Sequence, residues 1–302
     1  MQKKHRVSCL VALVFAISVL GFGQSRSTAG QRKTPAVSFT FGVVAVPNTD
    51  ERQVARAVDD RGHVIGFYTS GTSAIGYALL NTTFKFISFP GASTTIPWGI
   101  SDSGMVVGTY DVDGDSVEHG FTLKHNVYAT LDFPGASYTA LTGANTAGII
   151  VGRYYTTPGD YHGFALKAGV FTQIDFPSAL NTSVFSINRS GEIVGVYEAT
   201  DGSIHGFTLL NGTYTTLDYP GANETNVNGI NDNGDIIGSY STDSGAHYHG
   251  FLLTGGVFTS FDVPFVSSLM HTFPQAINNQ GEIVGDYYDA SGYHLGFSAK
   301  YQ

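Results

Sequence analysis

The chain has 302 residues with 38 Gly, 17 Tyr, 21 Phe and a single Cys; 13% of its residues are charged and its formal net charge is −9. Scarce helix formers, with aromatic and β-branched residues interleaved among so many glycines, suit short strands joined by tight turns, which excludes a helical protein and a disordered chain. One thiol, Cys9, excludes a disulfide scaffold, an iron–sulfur protein and a cysteine-ligated zinc site.

The N-terminal segment reads MQKKHRVSCLVALVFAISVLGFG, a basic head carrying Lys3, Lys4 and Arg6 ahead of an apolar run with a small-residue ending. This is the pattern of a signal peptide over residues 1–23, with cleavage after Gly23 or as late as Ala29. Residues 24–36 read as a flexible linker and residues 37–302 as one domain, so the mature protein is expected to be secreted or periplasmic. Cys9 precedes the apolar run, whereas a lipid-modified cysteine would follow it, so no stable membrane anchor is expected. Without residues 1–36, nine basic side chains remain against 24 acidic ones, a formal charge of −15. Such a surface repels nucleic acid and anionic lipid, which argues against both as partners.

From Val37 onward the chain repeats itself. The segments VDDRGHVIGFY, ISDSGMVVGTY, ANTAGIIVGRY, INRSGEIVGVY, INDNGDIIGSY and INNQGEIVGDYY place a turn glycine at Gly62, Gly104, Gly148, Gly191, Gly234 and Gly281, at steps of 42 to 47 residues. A second piece, FKFISFP, YATLDFP, FTQIDFP, YTTLDYP and FTSFDVP, ends at Pro90, Pro134, Pro177, Pro220 and Pro264. A strand-rich period of this length points to a propeller. In the fourth unit the strand Phe185–Asn188 leads through the turn Arg189-Ser190-Gly191 to the strand Glu192–Tyr197. A looser turn, the strand IHGFTLL, the type I′ signal Asn211-Gly212 and a returning strand TYTTLDY follow. Pro220-Gly221 then opens the crossover to the next unit.

The two ends complement one another. FGVVAVP, starting at Phe41, is an orphan fourth strand, and the sixth unit stops at Gln302 after three strands. An open solenoid gains nothing from this split, whereas a ring uses the first strand to complete the last blade and cover its edge. The expected fold is all-β, a six-bladed β-propeller with four antiparallel strands per blade, closed by pairing Phe41–Val46 with Tyr293–Ala299.

Together the motifs INxxGxIVGxY, HGF and FTxxDYPGA resemble the extracellular HAF-type repeat family of secreted bacterial proteins, over Val37 to Gln302. The resemblance implies a β-propeller-like extracellular protein and brings no activity or catalytic residue set with it. The first and sixth units depart from the motif at its histidine, reading Ile75-Gly76-Tyr77 and Leu295-Gly296-Phe297.

The other four units carry His119, His162, His205 and His249, followed 13 residues later by Asp132, Asp175, Asp218 and Asp262. Lying on different blades, these histidines are too far apart to share one metal. A two-residue hairpin sets each His directly opposite its Asp, where side chains meet across strands, so the four read as structural pairs within blades. Units one and six lack both partners together, with Ile75 facing Ser88 and Leu295 facing Ala45. That is the pattern expected if a half-buried His without its carboxylate is costly.

Residues that recur at one site serve the fold, so function is sought where equivalent positions differ. Ahead of the small residue of each innermost strand stand Arg56, Trp98, Thr142, Phe185, Asn228 and Gln275. These six are expected to ring one mouth of the central channel as a polar-ligand pocket, in which a ring stacks and amides hydrogen-bond. Crossover residues Asp50, Glu51, Arg52, Tyr138, Asn226 and His271 would extend it, and the plain alternative is that all of these merely fill the channel mouth. The loop Asp111-Val112-Asp113-Gly114-Asp115 has carboxylates at alternate positions, as calcium loops do. Ser116 and Thr122 stand where an EF-hand needs Gly and Glu, so an acidic turn is the favoured reading and no cofactor is expected. No serine nucleophile elbow, Walker loop or zinc-protease helix is present, and positive signs of catalysis are lacking. The leading functional reading is a secreted binding or scaffold module for a glycan, another extracellular polymer or an extracellular protein. One alternative is a hydrolase, lactonase or lyase with a metal held by Asn228, Asn226, Glu224 or Asp59; another is a purely structural repeat protein of the cell envelope.

Overall fold

Turn chemistry sets the strand order in each unit. The six motif glycines, from Gly62 to Gly281, adopt φ between 75° and 86°, and Asn211-Gly212 turns with φ of 51° and 80°. The computed structural model describes residues 17–20, 37–46, 52–81, 83–115, 117–265, 271–288 and 292–302. Its strands form six antiparallel sheets, one per unit, arranged as a six-bladed β-propeller. In the fourth blade they run, from the axis outward, Asn181–Ile187, Ile193–Glu198, Ile204–Leu210 and Thr213–Thr216. The innermost strand begins earlier than the sequence suggests, because Asn181–Val184 already pair with Gly195–Glu198. The outermost ends earlier, because the chain leaves the blade: the Tyr219 N–H donates to Thr225 Oγ1 on the next one.

The sixth blade contains Thr272–Ile277, Glu282–Tyr288 and His294–Tyr301, and its fourth strand is the N-terminal Ser38–Val44. The register joins Phe41 to Ala299 and Val44 to Gly296, and one more residue along it brings Ala45 opposite Leu295. The leader and linker expected over residues 1–36 lie outside the described residues except for Ile17–Leu20, which run antiparallel along Ser38–Val44 as a fifth, outermost strand. Side-chain amides also tie the ring together. Asn145, Asn188, Asn231 and Asn278 each donate to a backbone carbonyl of the next blade, the last of them to Asp59 of the first blade.

The core is six layers between adjacent blades rather than one centre. The aromatic of the third strand, Tyr77, Phe121, Phe164, Phe207, Phe251 or Phe297, is fully buried in every blade. It lies against the glycine of IVGxY, where space is minimal: a Cβ on Gly195 would stand 2.1 Å from the Ser183 carbonyl oxygen and 3.1 Å from the Phe207 ring. The motif tyrosine explains the aromatic before each crossover proline. Phe89 stacks on Tyr110, Phe133 on Tyr154, Phe176 on Tyr197 and Tyr219 on Tyr240, with centroids 3.6 to 3.7 Å apart, joining each blade to the next. No helix among the described residues is long and apolar enough to cross a membrane.

Candidate functional site

The six positions singled out in the sequence are β-bulges. In every blade the pairing of the two inner strands slips by one residue, and the extra residue is Arg56, Trp98, Thr142, Phe185, Asn228 or Gln275. A bulge re-aims its side chain and leaves the flanking residues in register, so the same device is used six times to present six different groups. All six line both halves of the central channel: a narrow space of about 100 Å³ toward the turns and a bowl of about 380 Å³ toward the crossovers. They form the waist between the two and the floor of the bowl. Arg153, Asn226, Ser239, Tyr248 and Phe273 supply the bowl's walls.

The floor is hydrogen-bonded around the ring. Arg56 Nη1 donates to Gln275 Oε1 at 2.9 Å, and Gln275 Nε2 donates to Asp286 Oδ1 at 3.0 Å. Asp286 Oδ2 lies 2.9 Å from His294 Nδ1. The Asn228 amide donates to the Pro274 carbonyl, and the Thr142 hydroxyl to that of Val184. Trp98 departs from the expected role of stacking on a ligand, because Arg56 already lies over its ring at 4.3 Å, with Arg153 at 5.6 Å and the indole N–H directed to Thr109 Oγ1. The ring therefore holds guanidinium groups.

Arg153 sits among Trp98, Phe185, Tyr161 and Tyr138, each ring centroid within 6.0 Å of its guanidinium carbon. Burial holds Arg56 well below the usual arginine range, at about 10; Asp286 opposes this, and the charges of Arg52 and Arg153 add to it. The Nε–H groups of Arg52, Arg56 and Arg153 are buried without an acceptor. Every ion pair among the described residues involves a histidine, so these guanidiniums have no carboxylate at ion-pair distance there.

Arg153 was not singled out in the sequence, although a signal for it exists. It is the variable residue of IVGxY, eleven positions after the bulge residue of its own blade, and the equivalent positions are Phe67, Thr109, Val196, Ser239 and Asp286. Four of these five join the site: Thr109 holds Trp98, Asp286 holds Gln275, Ser239 lines the bowl and Phe67 lies beneath Arg52 and Arg56 at 5.5 Å. Of the proposed crossover residues, Asn226 lines the bowl, Tyr138 is buried beside Arg153, and Arg52 lies over Phe67. His271 packs among Tyr248, Phe273 and Tyr288, and burial holds its pKa down. Asp50 and Glu51 lie outside the described residues.

The donor set named for a metal does not converge. Glu224 opens the innermost strand of blade five on the crossover side and accepts from the Tyr248 hydroxyl. Asp59 follows the innermost strand of blade one at the other end, where it caps a turn through the Arg61 and His63 N–H groups. Among the described residues no group of three His, Cys, Asp or Glu side chains could hold a metal ion. In the Asp111, Asp113, Asp115 loop, Asp115 accepts from the Val117 N–H and lies 3.3 Å from His119 Nε2.

Each repeat histidine meets its aspartate across the hairpin. Nδ1 of His119, His162, His205 and His249 lies 2.8 to 3.0 Å from a carboxylate oxygen of Asp132, Asp175, Asp218 and Asp262. Each ring also lies 5.1 to 5.4 Å from the motif tyrosine of its blade, on the outer part of the sheet and away from the bowl.

No family model matches this chain, and no curated protein matches it. Solved structures do resemble it. The putative TolB from Agrobacterium tumefaciens superposes with a TM-score of 0.58 at 12% identity, over 84% of this chain and 91% of that one. The fucose-specific lectin from Aleuria aurantia gives a TM-score of 0.55 at 11% identity, over 84% of this chain and 95% of that one. TolB from Acinetobacter baumannii gives 0.53 at 12% identity, over 73% and 56% of the two chains. The likeness is one of fold.

Proposed function

We propose that this protein is an exported binding module that takes a glycan of the extracellular or periplasmic space in the crossover-side bowl. One observation carries the reading. In a chain that repeats its turns, hairpins and interblade stacks, the residues that differ from blade to blade gather at one place, around a polar cavity of about 380 Å³. Thr142, Asn228 and Gln275 supply hydroxyl and amide groups there, in the manner of a site for a hydroxyl-rich ligand. A propeller of the same size and strand arrangement serves the Aleuria aurantia lectin, which is described in complex with Fucα1-6GlcNAc. Export rests on the basic and apolar leader over residues 1–23, and the repeat motifs support membership of the HAF-type family. A glycan array probed with the protein and with Trp98→Ala tests the placement. The expected result is binding to a defined glycan class that the variant loses while its melting transition stays cooperative. Binding unchanged in a folded Trp98→Ala protein overturns the placement at the bowl.

A further inference from the structure

The bowl has a charge that a neutral sugar does not answer. The domain from Val37 onward carries 24 acidic and nine basic side chains, yet three of its five arginines, Arg52, Arg56 and Arg153, come together at this one end of the channel. Their like charges repel one another. The carboxylates whose field reaches them, Asp286 and Glu118, stay beyond ion-pair distance; Asp286 is taken by Gln275 and His294, and burial pushes the Glu118 pKa up. Buried cationic groups without paired anions are costly, and a bound anion would offset that cost.

The aromatic rings prepare the arginines for such a ligand. A guanidinium over a ring is held by its face, while its N–H donors project from its edge in a fork that fits a carboxylate. Arg56 over Trp98 and Arg153 among Trp98, Phe185 and Tyr161 are placed in this way, and both line the bowl. Resting on the glycan reading above, we propose that the sugar recognised in the bowl is acidic, a uronate-type residue whose carboxylate is taken by Arg153 and Arg56 while its hydroxyls meet Asn228 and Thr142. The recognition is short-ranged. Charges further apart than about 10 Å are screened at ordinary ionic strength, so the acidic outer surface does not cancel the local field of the mouth.

Calorimetric titration of the full mature chain with a trigalacturonate and with its neutral methyl ester provides the test. The acid is expected to bind at least about tenfold more tightly than the ester, with an affinity that falls as salt rises. Arg153→Gln is expected to remove that preference, and Arg153→Lys, which keeps the charge without the fork, to recover part of it. Arg189→Gln, an exposed arginine at the other end of the channel, is expected to change nothing and so controls for overall charge. Equal binding of acid and ester, with Arg153→Gln neutral and Trp98→Ala still disruptive, overturns the acidic sugar and leaves the glycan site standing. Binding of neither ligand, together with an empty glycan array, overturns both. Should Arg153→Gln fail to fold, the acid-to-ester ratio of the unmodified protein and its salt dependence decide alone.

Discussion

Gly195→Ala isolates the reason for the glycine in IVGxY. The added Cβ would lie 2.1 Å from the Ser183 carbonyl oxygen, 3.0 Å from Val184 Cα and 3.1 Å from a Phe207 ring carbon. Neither obstacle is a free side-chain end: the oxygen belongs to the ladder between Asn181–Ile187 and Ile193–Glu198, and Phe207 is fully buried. Restoring ordinary contact moves the two inner strands apart by roughly 1 Å, which costs about 1–3 kcal/mol in overpacking. Weakening one or two ladder hydrogen bonds costs about 1 kcal/mol each, and the stiffer unfolded chain returns about 0.5–1 kcal/mol. The net loss is about 2–4 kcal/mol, or a fall of roughly 5–12 °C in Tm for a domain of this size. Gly202→Ala is the control, since its site has φ of 83° and nothing within 4 Å, leaving only left-handed strain of about 1–2 kcal/mol. Thermal unfolding followed by near-UV circular dichroism reads both variants. A Gly195→Ala protein melting within 1 °C of the parent, or no lower than Gly202→Ala, would refute the packing argument.

The closing strand can be tested through Phe41, which is 1% exposed and packs with Phe39 and Phe261 in the layer between blades five and six. Phe41→Ala is expected to cost about 3–5 kcal/mol in urea unfolding, and an unchanged midpoint contradicts closure by the N-terminal strand. The His249–Asp262 pair predicts a pH effect. Its hydrogen bond from Asp262 raises the His249 pKa against the opposing effect of burial. The folded protein thus holds this proton more tightly than the unfolded chain, so the stabilisation is complete below about pH 6.5 and is lost as pH rises through the raised value. The stability gap between the parent and Asp262→Asn should therefore narrow between about pH 6 and pH 8, as read from urea midpoints; a constant gap removes the linkage.

What the sequence conveyed was whatever repeats. Turn glycines, Asn211-Gly212 and the orphan strand at Phe41 fix blade number, strand order and closure through backbone rules alone, and the 13-residue spacing from His205 to Asp218 follows from hairpin geometry. The bulge residues could be named from the small residue after each, but the bulge itself could not, because it appears only when the two inner strands are paired. Contacts between blades were hidden for the same reason. Arg56 meets Gln275 across the closure of the ring, a separation of 219 positions, and Arg153 reaches Trp98 from the next blade. The role of Trp98 as a seat for guanidiniums was thus invisible until the ring was closed.

Trp98 is the single tryptophan of the chain and stands at the floor of the bowl, so its fluorescence reports that place and no other. The decisive measurement is its emission and its quenching by neutral acrylamide, titrated with a glycan whose binding calorimetry has established. Occupation of the bowl predicts a saturable change in emission and reduced quenching, with the same midpoint as the heat signal. A glycan that binds with full calorimetric stoichiometry while Trp98 emission and quenching stay flat would place the site elsewhere on the propeller.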